Sequence, residues 1–165
     1  MRAFKKILFP VDLSETSPKI VAYAIQMASR FESEIHLLFV ARVFDYFTNL
    51  YVSDTSIHEF HTEIVEGAEK RLQEFRTEHF SDFKAVQTRV EVGDISEEII
   101  NYSKSKEIDL IIMGTHGRKG LDRIMFGSVA ERVIKTSPVP VLVVNPFTTV
   151  ADGQKISRFR QRSCP

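Results

Sequence analysis

Cysteine is nearly absent: Cys164 stands alone in a chain of 165 residues, which excludes an internal disulfide framework and any multi-cysteine metal site. An excess of one charge is also missing. Lysine plus arginine and aspartate plus glutamate number 22 each, so no global field favours nucleic acid or an anionic membrane, and neither is expected as a partner. No apolar run approaches the roughly 20 residues that a bilayer requires. The start, Met1-Arg2-Ala3-Phe4-Lys5-Lys6, is basic like a signal peptide. Its apolar continuation is only Ile7-Leu8-Phe9 before Pro10 and Asp12 interrupt it, which argues against a secretory segment and for a cytoplasmic protein.

The familiar catalytic signatures are missing too. No G-x-x-x-x-G-K-[ST] provides a P-loop lysine, and no G-x-G-x-x-G follows the first strand, which argues against a dinucleotide fold. His36, His58, His61, His79 and His116 include no H-E-x-x-H. His58 and His61 lie three apart and could share a metal, but no third ligand suggests itself and a solvated helix face is the better reading. A G-x-S-x-G elbow is lacking as well. No catalytic residue and no metal ligand is therefore assigned.

What is present alternates between strand-like and helix-like patterns, as in an α/β protein of one domain. Ile7-Leu8-Phe9 reads as a central strand. Ser17-Pro18 offers an N-cap and an N1 proline to a helix carrying Ile20, Val21, Ala24, Ile25 and Ala28. Ile35 to Val40 is a second strand. An aromatic stretch, 42 to 56, precedes a long amphipathic helix from Ile57 with Phe60, Ile64, Ala68, Leu72 and Phe75 on its stripe. Val86, Thr88, Val90 and Val92 alternate as a third strand, and Gly93-Asp94 turns into a helix with Ile95, Ile99 and Ile100. Leu110 to Met113 is the fourth strand, Ser128 to Thr136 the last helix, and Val139 to Val144 the fifth strand. Five strands and four helices predict a doubly wound, five-stranded parallel sheet with helices on both faces. The domain is expected over 1–146, with 147–165 as a flexible basic tail (Lys155, Arg158, Arg160 and Arg162 against Asp152).

The strongest functional lead is Gly114-Thr115-His116-Gly117 followed, after nine residues, by Gly127-Ser128. A glycine-rich turn between a strand and a helix N-terminus lets backbone N–H groups converge on a phosphate. Ser128-Val129-Ala130-Glu131 also fits a capping box with Ser128 as N-cap, and the two roles are compatible. In an open parallel sheet this loop would meet Pro10-Val11-Asp12 and Val40-Ala41 at the strand C-terminal ends. Asp12 suits ribose hydroxyls; an Asx turn capping the next helix is its local alternative. His116, Arg118, Lys119 and Arg123 add donors, none assigned singly.

With Pro10-Val11-Asp12, the G-x₂-G-x₉-G-S loop and Val139-Pro140-Val141-Leu142-Val143-Val144-Asn145 in view, the chain resembles the ATP-binding branch of the universal stress protein family. The resemblance spans about residues 3 to 146. It implies an adenine-nucleotide alpha-hydrolase-like, Rossmann-like fold that binds ATP, with or without Mg²⁺, and usually dimerises; the apolar run Val139 to Val144 at the expected sheet edge predicts a homodimer through the fifth strand, the alternative being that the tail from Phe147 folds back and covers that edge. By position, Pro10, Val11 and Asp12 would line the adenosine, and Val40 would meet adenine through its backbone. Met113 and Gly114 would open the loop. Gly114, His116, Gly117, Gly127 and Ser128 would surround the phosphates, with Val129 and Ala130 at the helix start. Some relatives carry a hydroxyl residue at positions 11 and 130, where this chain has Val11 and Ala130, so only backbone contacts are expected there. The implied function is that of a nucleotide-dependent stress-response regulator. Its rivals are a slow ATP hydrolase or phosphotransferase, and a nucleotide-free dimeric interaction module.

Overall fold

Short apolar runs bounded by turn residues become strands, and longer runs with a 3.6-residue period become the helices that cover them. A computed structural model describes residues 4–42, 54–115 and 127–147, with the backbone alone for 54–61. In chain order the elements are β1 (Lys6–Pro10), α1 (Pro18–Phe31), β2 (Glu34–Ala41), α2 (Asp54–His79), β3 (Val86–Val92), α3 (Ile95–Ser105), β4 (Leu110–Gly114), α4 (Ser128–Thr136) and β5 (Val141–Val144). The strands form one parallel sheet in the order β3-β2-β1-β4-β5, so the winding reverses between β1 and β4.

Strands buried on both faces explain why the central runs are continuously apolar. Alternate residues feed two cores. Ile7, Phe9, Ile35, Leu37, Leu110 and Ile112 pack with α1 and α2 on one face. Leu8, Leu38, Val40, Ile111 and Met113 pack with α3 and α4 on the other. At the two ends of the sheet the element limits shift from those the sequence predicts. The last strand begins at Val141 rather than Val139, because Pro138 and Pro140 have no N–H for a ladder. Helix α2 begins at Asp54, three residues before Ile57.

Helix α3 starts on a well-made cap. The Asp94 carboxylate accepts from the Ser96 and Glu97 N–H groups at 3.0 and 3.1 Å. Gly93, just before it, sits at φ +152°, and a Cβ there would lie 3.1 Å from Glu98 Cγ. Below the strand ends, His36 is buried with Nδ1 2.9 Å from the Tyr102 hydroxyl and Nε2 2.7 Å from Glu34 Oε1. Both ring nitrogens are thus partnered, one by a carboxylate and one by a hydroxyl that can donate or accept. Burial pushes the Tyr102 phenol up.

Candidate nucleotide site at the switch point

Strand β1 and its two neighbours part at different heights. Pairing with β2 runs from Lys6↔Glu34 to Pro10↔Leu38, and the Val11 N–H continues it to the Leu38 carbonyl at 2.8 Å. Pairing with β4 covers only Ile7↔Leu110 and Leu8↔Ile111. The cause is legible in the chain. Main-chain groups of alternate residues point to alternate neighbours, and the bonds of Lys5 and Val11 to β2 put the even-numbered residues of β1 toward β4. The next residue due to bond β4 is Pro10, which has no N–H. The sheet therefore opens between Pro10–Asp12 and the end of β4, where its winding reverses.

The same alternation places Val40. The Glu34 N–H and the Leu38 carbonyl bond toward β1, so the N–H and C=O of Val40 face the β1 side as well. Since β1 pairing ends at Leu38, these groups look into the opening past Pro10. The Val40 side chain is buried in the same cluster as Met113 and Ala130. Three of the residues singled out in the sequence thus share one wall, while Val11 belongs to the opposite core.

Asp12 takes the local role and is preorganised by it. Its Oδ1 accepts from the Ser14 N–H at 3.0 Å, the Ser14 hydroxyl at 2.6 Å and the Ser17 hydroxyl at 2.8 Å. Three donors on one oxygen fix the carboxylate in place. Leu13, between them, adopts φ +56°, an uncommon conformation for a branched residue and a mark of a tightly determined turn. Ser17 occupies the N-cap position of α1 with Pro18 behind it, as its sequence predicts, but its hydroxyl is given to Asp12 and caps nothing. Ser14 and Ser17 were not among the sequence's candidates. Asp-x-Ser-x-x-Ser before a proline was the available signal.

On the β4 side the capping-box expectation is corrected. The N-cap of α4 is Gly127, and Ser128 is already helical, with no side-chain cap. The Gly127 N–H is bonded to the Thr115 carbonyl at 2.7 Å, and the Thr115 N–H to Val144 at 2.9 Å. Gly127 is thus held to the end of β4, and its extended ψ of 145° ends the non-helical chain there. Its φ of −58° needs no glycine. What limits the position is space, because a Cβ would stand 3.3 Å from the Thr115 oxygen. The donors left at the helix start are the first-turn N–H groups of Ser128, Val129 and Ala130, which precede the intrahelical ladder. His116 and Gly117, with residues 118 to 126, lie outside the described residues.

Helix α4 is tied to α3 beside the opening. Arg132 reaches Asp94 Oδ2 at 3.1 Å and Glu97 Oε1 at 3.4 Å. Glu131 is paired with Lys135 at 2.7 Å, and that contact holds its carboxyl below the usual range. Among the described residues, no group of three or more His, Cys, Asp or Glu side chains has metal-binding geometry, and no helix is long and apolar enough to cross a membrane.

The comparisons agree with this architecture. Residues 3–145 match the model of the universal stress protein family. Universal stress protein MJ0531 of Methanocaldococcus jannaschii is 36% identical over 143 residues, covering 86% of this chain and 82% of that one. YxiE of Bacillus subtilis is 30% identical over 146 residues, covering 86% and 99%. Among solved structures, MJ0577, also from M. jannaschii, superimposes with a TM-score of 0.72 at 32% identity, covering 87% of this chain and 97% of that one. A universal stress protein solved in complex with cAMP shares the fold at TM-score 0.57 and 19% identity, covering 88% and 99%. With the family model spanning nearly all of the sheet and its helices, the chain belongs to the universal stress protein family.

Proposed function

We propose that the chain binds an adenine nucleotide, ATP foremost, in the opening between β1 and β4, and acts as a nucleotide-dependent regulator. The observation that carries the reading is the early parting of β1 from β4 at Pro10, beside the Val40 main chain and the α4 N-terminus. One N–H and one C=O presented together by Val40 match the N1 acceptor and the N6 amino donor of adenine. The Asp12 carboxylate, held through Oδ1, suits ribose hydroxyls. The first-turn N–H groups of Ser128, Val129 and Ala130 and the positive helix end suit phosphate. Gly114 closes β4 at the mouth of the loop, and Met113 supports the wall behind it. ATP would supply a state signal through its presence; Mg²⁺, if it accompanies ATP, would be held by the phosphates.

A homodimer through β5 belongs to the same reading, on the apolar composition of that edge, as does a cytoplasmic location, on the single cysteine. Turnover is not the main act proposed. The test is direct: protein purified without added nucleotide is denatured and the released small molecules are identified, then ATP is titrated calorimetrically into the stripped protein. ATP, ADP or AMP in the supernatant and saturable binding are expected. Asp12→Ala should weaken ATP and adenosine alike by roughly 1 to 3 kcal/mol. A stripped, folded protein that takes up no adenine nucleotide sinks the reading. Single-turnover hydrolysis on the order of 1 s⁻¹ or faster would replace it with phosphotransfer.

A further inference from the structure

Two ties hold the start of α4, and they come from different elements. One is the bond from the Gly127 N–H to the Thr115 carbonyl at 2.7 Å, which fastens it to the end of β4. The other is Arg132, one turn after Ser128. Its two terminal guanidinium nitrogens each donate to a separate carboxylate, Nη1 to Asp94 Oδ2 at 3.1 Å and Nη2 to Glu97 Oε1 at 3.4 Å. Helical side chains lean toward the N-terminus, so a tie made at Arg132 acts on the turn that carries the first N–H groups.

The carboxylate that receives Arg132 is itself fixed. Asp94 Oδ1 accepts the Ser96 and Glu97 N–H groups, which leaves Oδ2 for the guanidinium. The residue before it, Gly93, donates its N–H to the Ala41 carbonyl at 3.0 Å. Ala41 follows Val40, whose main-chain groups look into the opening. A short path of bonded groups therefore runs from the wall proposed for adenine to the helix proposed for phosphate, through Val40–Ala41, Gly93–Asp94 and Arg132. Both of its sheet anchors stand at the C-terminal ends of parallel strands, on the side of the opening.

Apolar packing alone leaves α4 room to slide. Of its nine residues only Ala130 and Val133 are buried, and hydrophobic burial is not directional. A planar fork seated on two carboxylates is directional, and it sets where α4 stands along α3. With the Arg132 side chain 52% exposed, these pairs contribute little to global stability. What they fix is a spacing.

We propose that Arg132 is a positioning residue: seated on Asp94 and Glu97, it sets the distance between the Val40 main chain and the first-turn N–H groups of α4, so that one nucleotide engages both. This rests on the adenine-nucleotide reading and names the residues that keep its two halves in step. Adenosine, which carries no phosphate, does not sense that distance.

The test titrates ATP and adenosine calorimetrically into the full chain and into Arg132→Gln, Asp94→Asn and the double variant. Asn at position 94 still accepts from the Ser96 and Glu97 N–H groups, so α3 keeps its cap while the acceptor for Arg132 is lost. Arg132→Gln is expected to weaken ATP about threefold and Asp94→Asn about twofold, with adenosine unchanged in both. The double variant should lose no more than Arg132→Gln, because both changes cut the same tie. Losses that multiply overturn the proposal. So does an adenosine loss equal to the ATP loss, which would mark general support of the fold. The sign in Asp94→Asn separates positioning from contact: were Arg132 a phosphate ligand, releasing it from Asp94 would tighten ATP, and that result also overturns the proposal. Unchanged ATP affinity in Arg132→Gln sinks the strut and leaves nucleotide binding standing. A parent that takes up neither compound removes the nucleotide reading itself, and the role of Arg132 with it.

Discussion

Strand β3 ends the sheet with Gln87 and Arg89 exposed, Arg89 paired to Glu91 at 2.9 Å, and α2 alongside it through the Gln73–Thr88 bond at 2.6 Å. Strand β5 ends it with Val141-Leu142-Val143-Val144, of which only Val144 is buried. The bonds from Pro140 and Val144 to β4 leave the N–H and C=O groups of Val141 and Val143 directed away from the sheet. Both strands are edges, yet one carries charge and a covering helix and the other carries neither among the described residues. An edge protected by charge stays single, whereas a short apolar edge pairs best with its own copy about a two-fold axis.

The largest effect should come from closing the apolar edge. Val143→Pro removes an outward N–H without touching a bond to β4; by light scattering the parent is expected to run as a dimer and the variant as a monomer. Thr88→Pro removes the equivalent outward donor of β3 and should leave the mass unchanged. If both variants keep the parent's mass, β5 is not the dimer seam.

Next in size is the top of the polar edge, where β3 turns into α3. Gly93→Ala puts a Cβ 3.1 Å from Glu98 Cγ at a φ of +152° that side chains avoid. Chemical denaturation should show a loss of about 1 to 3 kcal/mol. No loss would mean that this corner relaxes freely.

A smaller, pH-dependent effect comes from Asp94. The Glu97 N–H bond, opposed by partial burial and aided by Arg132, holds its carboxyl below the usual range. A depressed folded value contributes stability above the unfolded value of about 4, lost as pH falls through the lower folded one. Asp94→Asn keeps a cap but should flatten the stability curve below about pH 4, by well under 1 kcal/mol because the group is about a third exposed and solvent screens it. An unchanged acid limb would count against it. Smallest of all, Arg89→Gln breaks the exposed pair with Glu91 and should shift stability by about 0.5 kcal/mol or less. A larger loss would show that the polar edge is held by charge rather than by α2.

Local pattern makes most of this legible in the sequence. Continuous apolar runs marked β1, β2 and β4 because both faces of the sheet are covered, and Ser17-Pro18 marked the start of α1. Features that depend on distant partners were not readable. The His36–Tyr102 bond joins residues 66 positions apart, and nothing near either announces it. The capping box at Ser128 misled because the Thr115 carbonyl, from the far end of the loop, holds Gly127 and makes it the cap. In the candidate site, Pro10, Val40 and Gly114 stand at or next to the strand C-terminal ends, and Pro10 shapes the opening through an absent N–H rather than through any contact it makes.

The bond between Thr115 and Gly127 has a consequence for how such a chain can diversify. It fastens both ends of the stretch 116 to 126 to the sheet, so the scaffold fixes the closure point before that stretch is considered. Changing the length of a loop with fixed ends alters its closure entropy slowly, by only about 0.6 kcal/mol per doubling. Length changes between Thr115 and Gly127 are therefore expected to leave the sheet, the opening at Pro10 and the clasp itself as they are.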